Sequence, residues 1–302
     1  MRVLLGVDGS TSSDRAASLV ANLAWPIGTT IEVLTAYPGT GAIFGLPGFV
    51  VAAEVIQETE DAMEAEAQRM VTEVARRFAT PDLMVETRVA RERAATAIVD
   101  QATADNVDLI VLGNRGRGPF ESAVLGSVCA EVVDQVKRPV LVARHDRVDR
   151  ILVGEDASVG AAAATATVRR WSILHGARVR VLSVADIDPQ SNPWLHLMSL
   201  RDAHDAAKTR LHELHQKLAR ETAAGLRTAG LQVDEEVQDG SPARRLVEAA
   251  VNWNADLIVV GHHGRSGLER LLIGSVARSV LYHAPCSVLI VPEPPSGDGG
   301  RS

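Results

Sequence analysis

Two glycine constellations in this chain have the residue types and spacing to grip an anion. The first runs Gly113-Asn114-Arg115-Gly116, then nine residues, then Gly126-Ser127. The second runs Gly261-His262-His263-Gly264, then nine residues, then Gly274-Ser275. Glycines let the backbone approach a phosphate closely. A Gly-Ser helix start adds unpaired N–H groups, the helix dipole and a hydroxyl donor. Arg115 and His263 stand between the loop glycines, where a cation or ring N–H can reach phosphate oxygens. Asp8 and Asp156 close two other apolar runs and can accept from an exocyclic amine or a ribose hydroxyl. The layout suits an adenine nucleotide, with its base near the Asp and its phosphates at the glycines across a cleft. Two plainer readings stand beside it. The glycines can be turn and packing residues, and the Asp residues can be helix N-caps.

These residues need strands and helices to position them. Leu109-Ile110-Val111-Leu112 precedes the first motif and Leu257-Ile258-Val259-Val260 the second, each short and apolar like a buried strand. Gly261 lies 148 positions after Gly113. The same offset takes Val3-Leu4-Leu5-Gly6 to Ile151-Leu152-Val153-Gly154, Asp8 to Asp156, and Val140-Leu141-Val142 to Val288-Leu289-Ile290. The chain therefore reads as two copies of one unit, each long enough to bury its own core. Each copy reads β-α-β-α-β-α-β-α-β, with helices predicted over 14–24, 54–78 and 94–103 in the first. A further helix from Gly126-Ser127 is predicted to turn Val128, Val132, Val133 and Val136 to one face. Apolar strands alternating with helices predict a parallel sheet covered on both sides. The expected fold is α/β: two tandem, doubly wound, five-stranded parallel-sheet domains, spanning 1–145 and 149–293, with a disordered tail at 294–302. In such sheets a ligand sits beyond the strand carboxyl ends at the switch point. Asp8, Ala36 and Gly113 fall there, as do Asp156, Val184 and Gly261.

At this stage the family resemblance is specific. The chain resembles the universal stress proteins of the ATP-binding type in tandem form. That family carries G-x2-G-x9-G-(S/T) after its fourth strand and an Asp at the end of its first. The resemblance spans nearly the whole chain. It implies an adenine nucleotide α-hydrolase-like fold and ATP, often with a divalent ion such as Mg2+, bound in each copy. By position it carries the nucleotide contacts to Gly6, Asp8, Ala36, Gly113, Gly116, Gly126, Ser127 and Val128. In the second copy it carries them to Gly154, Asp156, Val184, Gly261, Gly264, Gly274, Ser275 and Val276. It also implies pairing through the fifth strand, here between the two copies, with a homodimer as a further option.

The copies differ. Asp239-Gly240-Ser241-Pro242 follows the third strand of the second copy, and Arg91-Glu92-Arg93-Ala94 follows that of the first. If the glycine needs a positive φ, Glu92 is strained or its loop takes another path. Two sites of unequal affinity are expected.

Composition narrows the partners. A net charge of −7 argues against a nucleic-acid partner. No apolar run is long enough to span a membrane. The early first strand leaves no room for a signal peptide, and Cys129 and Cys286 read as inert, reduced thiols, so a cytoplasmic protein is expected. His262-His263 is read as a surface or phosphate-edge pair rather than a metal site, and His212 and His215 as a solvated helix face. Ile43 to Val51 and Trp194 to Leu200 are candidates to cover the cleft, to pack between the copies or to form an interface patch. No P-loop, nucleophile elbow or kinase motif set is present. A nucleotide-binding regulator is therefore favoured, with a slow ATP hydrolase or adenylyl-transfer enzyme and a nucleotide-free scaffold as alternatives.

Overall fold

The computed structural model describes residues 1–39, 53–116, 125–186, 201–264 and 273–294, with backbone alone over 201–207. The candidate cleft covers, Arg117 and Arg265 (further phosphate-gripping candidates just after the second glycine of each motif), and the residues after 294 lie outside the described residues. The chain divides into two compact units, Met1–Arg147 and Val148–Ser302.

The first unit runs β1 (Arg2–Gly6), α1 (Thr11–Asn22), β2 (Thr29–Ala36), α2 (Ala53–Ala75), β3 (Leu83–Ala90), α3 (Ala94–Ala104), β4 (Leu109–Gly113), α4 (Ser127–Gln135) and β5 (Val140–Ala143). Its strands lie in the order β3-β2-β1-β4-β5, all parallel. The second unit repeats this with β6 (Arg150–Glu155), α5 (Val159–Arg170), β7 (Arg178–Ala185), α6 (Arg201–Arg227), β8 (Gln232–Asp239), α7 (Pro242–Trp253), β9 (Leu257–Gly261), α8 (Ser275–His283) and β10 (Ser287–Val291). Its order is β8-β7-β6-β9-β10, again parallel. The expected doubly wound, five-stranded sheet is present twice.

Burial explains why the strands read as unbroken apolar runs. Val3, Leu4 and Leu5 in β1 and Leu109, Ile110 and Val111 in β4 are all fully buried. Helices cover both faces, so odd and even positions alike leave water, each large side chain contributing about 1.5–3 kcal/mol. The direction in which successive strands are added to the sheet reverses between β1 and β4. Register sets Gly6 beside Leu112, so Asp8 and the glycine motif leave the sheet at one edge.

Several boundaries differ from the sequence reading. Helix α1 begins at Thr11 because the Ser10 hydroxyl accepts the Ser13 N–H at 3.1 Å and caps it. Ser158 caps α5 in the same way, from Ala161 N–H at 3.0 Å. The caps are therefore serines, not Asp8 and Asp156. In α4 the buried positions are Cys129, Val132 and Val133. Val128 is only half-buried. It sits in the first turn, and Cys129 takes the core position.

Candidate functional site

The first glycine of each motif is fixed by close approach of backbone. A Cβ on Gly113 would lie 2.5 Å from the carbonyl carbon of Ser12, and one on Gly261 would lie 2.3 Å from that of Gly160. The opening turn of α1 or α5 thus presses directly on the end of β4 or β9. In the first unit the Ser12 hydroxyl also donates to Asn114 Oδ1 at 2.9 Å. Gly6 and Gly154 serve packing in the same geometry. A Cβ on Gly6 would meet Leu112 Cδ2 at 2.6 Å, and one on Gly154 would meet Val260 Cγ1 at 3.2 Å.

The two ends of each motif meet. Gly126 N–H donates to the Asn114 carbonyl and Gly274 N–H to the His262 carbonyl, both at 2.8 Å. This seats the N-terminus of α4 or α8 beside the loop. Gly126 and Gly274 are the N-caps, and no side chain caps either helix. Ser127 and Ser275 are exposed there, and Val128 and Val276 are half-buried. An uncapped helix start directs its first N–H groups outward, the arrangement that binds anions.

The aspartates sit beside the glycines rather than across a cleft from them. Asp8 Oδ1 accepts the Ser10 N–H at 3.0 Å, and Asp156 Oδ1 accepts the Ser158 N–H at 2.9 Å. Each turn aims the second oxygen at the motif. Asp8 Oδ2 is 2.8 Å from where a Gly116 Cβ would stand, and Asp156 Oδ2 is 3.1 Å from that of Gly264. A side chain at Gly116 would push the carboxylate aside, and one at Gly264 would crowd it. Arg115 is exposed, and its carbonyl accepts from Ser10 Oγ at 3.3 Å. At the second-strand ends, Ala36 is half-buried and Val184 is buried.

The loops after β3 and β8 diverge as their sequences do. Gly240 takes φ +125°, while Glu92 is not among the residues with positive φ. The first unit's loop therefore takes another path, and Glu92 carries no such strain.

Below the first motif, Cys129 Sγ–H donates to the Gly113 carbonyl at 2.8 Å. Burial pushes this thiol up to about 12, Arg144 pulling the other way and Asp8 adding a smaller push. Cys286 is buried as well.

The histidines include one correction. His262 and His263 meet edge to face at 4.5 Å between centroids, with Nδ1 atoms 3.3 Å apart. Among the described residues no group of three or more His, Cys, Asp or Glu could hold a metal ion. His212 is partly exposed and lies 3.1 Å from Asp239. His215, however, is buried, with Nδ1 2.7 Å from Ser183 Oγ, and is no part of a solvated face. The helical spacing that suggested a common face missed that α6 packs one turn of that face onto β7. Ser183 donates its own proton to the Glu155 carbonyl at 2.8 Å. The pair looks like a nucleophile and base, but Ser183 is fully buried and its proton is committed.

Two buried polar atoms at this edge of the second unit have no hydrogen-bond partner among the described residues: His263 Nε2 and Asp186 Oδ1. Asp186 follows β7 and was missed by the sequence reading. Its only signal was an acid two residues beyond Val184, where the first unit has Pro38.

A doubly wound parallel sheet with an uncapped helix start and an acid at its switch point defines an α/β domain, present here twice. The universal stress protein family model matches residues 1–144 and 147–292. The chain belongs to the universal stress protein family, in tandem form, and its broad role is in the stress response. A universal stress protein of Mycolicibacterium smegmatis is 28% identical over 304 residues, covering 96% of each chain. One from Mycobacterium tuberculosis is 28% identical over 313 residues, covering 95% of this chain and 96% of the relative. The crystal structure of a universal stress protein from Archaeoglobus fulgidus aligns with a TM-score of 0.65 at 20% identity, over 97% of this chain and 98% of that one. It shares the fold. No helix among the described residues is long and apolar enough to cross a membrane.

Proposed function

We propose that each unit binds one adenine nucleotide, ATP with a divalent ion, and that occupancy regulates the protein rather than feeding turnover. The observation that carries this is the convergence, in both units, of an aspartate oxygen and an uncapped helix start on one glycine loop. The residues fit the group. Phosphates would lie on the N–H groups of Ser127 and Val128, or Ser275 and Val276, beside Gly116 or Gly264. A divalent ion bound mainly through phosphate oxygens and water needs few protein carboxylates. His263 Nε2 and Asp186 Oδ1 are buried and unpartnered among the described residues, and a bound nucleotide would satisfy them by accepting and donating respectively. Regulation is favoured over catalysis because Ser183 and His215, which resemble a nucleophile–base pair, are buried with the serine proton already committed.

Isothermal titration with ATP and Mg2+ tests the reading. Two binding events are expected, and no binding at millimolar ATP would refute it. A ligand would act by favouring the conformation or assembly that binds it better.

The same reading includes pairing of the units through β5 and β10. Each is an apolar strand with a single neighbour inside its own unit. Buried free thiols support a reducing, cytoplasmic setting.

A further inference from the structure

We propose that Glu155 is a positioning residue for Asp156, required because an alanine in the second unit stands where the first has glycine. The proposal rests on the reading of Asp156 as a ligand-facing group.

The turn after the first strand reads Val7-Asp8-Gly9-Ser10 in one unit and Glu155-Asp156-Ala157-Ser158 in the other. Its third residue is left-handed in both, with φ +73° at Gly9 and +63° at Ala157. That conformation brings the next N–H onto the Asp Oδ1 and so leaves Oδ2 aimed at the glycine motif. Glycine adopts it freely, and alanine resists it because its Cβ crowds the carbonyl.

The second unit supplies what the alanine lacks. Glu155 Oε1 accepts the Ala157 N–H at 2.9 Å, which holds the residue in its left-handed state. Glu155 Oε2 is held in turn by Thr222 Oγ1 on α6 at 3.0 Å and more distantly by Thr165 Oγ1 on α5 at 3.5 Å. The carboxylate is buried, so these bonds form away from water. At the matching places the first unit has Val7, Val74 and Ala17. The carboxylate, both hydroxyls and the alanine thus occur together in one unit and are all missing from the other. A general need for polarity here would not explain why the first unit does without it. Its glycine does.

The test uses the full chain and two variants, both carrying Thr222→Val so that its hydroxyl is not left unpartnered. The first adds Glu155→Val. The second adds Glu155→Val and Ala157→Gly, which recreates the Val-Asp-Gly-Ser turn of the first unit. ATP titration is expected to show a loss of about tenfold or more at the second site in the first variant, with the other site unchanged. Glycine is expected to restore binding although the carboxylate is still missing. A first variant that binds normally, or a second that stays impaired, would overturn the proposal. If the first variant fails to fold and the second folds, the rescue itself supports it; if neither folds, the turn is not what Glu155 secures. Unfolding midpoints without ligand separate this from the nucleotide reading. Should the wild type bind no ATP, the same loss and rescue must still appear in stability.

Discussion

Gly113 and Gly261 have no space for even a methyl group, because the first turn of a helix lies 2.3–2.6 Å from where a Cβ would stand. Flexible side chains could move aside, but these neighbours are backbone. Gly113→Ala or Gly261→Ala is therefore expected to cost about 1–3 kcal/mol through forced backbone shifts. Denaturant unfolding would show it, and an unchanged midpoint would count against the packing described. Cys129 gives a second prediction at this scale. Its thiol moves from an ordinary 9.0 to about 12 on folding. As pH rises past 9 the unfolded chain loses this proton first, so stability should fall progressively toward pH 12. Below 9 the thiol is protonated in both states and contributes no slope. Cys129→Ala, matching Ala277 of the second unit, should flatten that fall. Equal slopes for the two proteins between about pH 8 and pH 11 would contradict the assignment.

Among elements, the two units solve one packing problem with opposite charges. Glu32 on β2 is buried and meets Arg88 of β3 at 2.6 Å, Arg2 of β1 at 3.3 Å and Gln101 of α3 at 2.9 Å. The matching positions in the second unit are Arg180 and Glu236, 3.0 Å apart, with Arg180 stacked 4.6 Å from the Trp253 ring centroid. A second pair is inverted too. Glu60 binds Arg91 in one unit, and in the other Asp239 meets Lys208 at 3.6 Å and His212 at 3.1 Å. What each strand pair needs is charge balance at a position that is buried in the first unit and half-buried in the second, and either polarity provides it. Glu32→Arg should destabilise the first unit by on the order of 3 kcal/mol, because it buries a cation among cations. Adding Arg88→Glu should recover part of that loss. A double variant no more stable than the single one in chemical denaturation would show that the pair does not act as a unit.

For the whole molecule the prediction concerns number and independence of sites. Gly264 faces Asp156, so Gly264→Asp sets a second carboxylate against the first and against any phosphate. Titration with ATP is expected to fall from two sites to one, with the remaining affinity unchanged. Loss of both sites, or of neither, would contradict one independent site per unit. The surviving site need not match the one lost, since Arg115 and Glu92 stand in the first unit where His263 and Gly240 stand in the second.

The repeat, the alternation of strands and helices and the glycine motif were legible from residue types and spacing alone. Periodicity and turn chemistry are local properties, and a duplicated sequence states them twice. Thus Leu109 to Leu112 announced a buried strand, and Gly126-Ser127 announced a helix start. The sequence did not reveal that the aspartates stand against the second glycine, that His215 is buried against Ser183, or that one carboxylate oxygen of Asp186 ends buried beyond β7. Nor did it show that Val128 yields its core place to Cys129, or that Glu155 anchors the turn beside Asp156. Each of these depends on which strands become neighbours and how closely helices press on them. Only the tertiary structure decides such distances, because they join residues far apart in the chain through packing that no local pattern encodes.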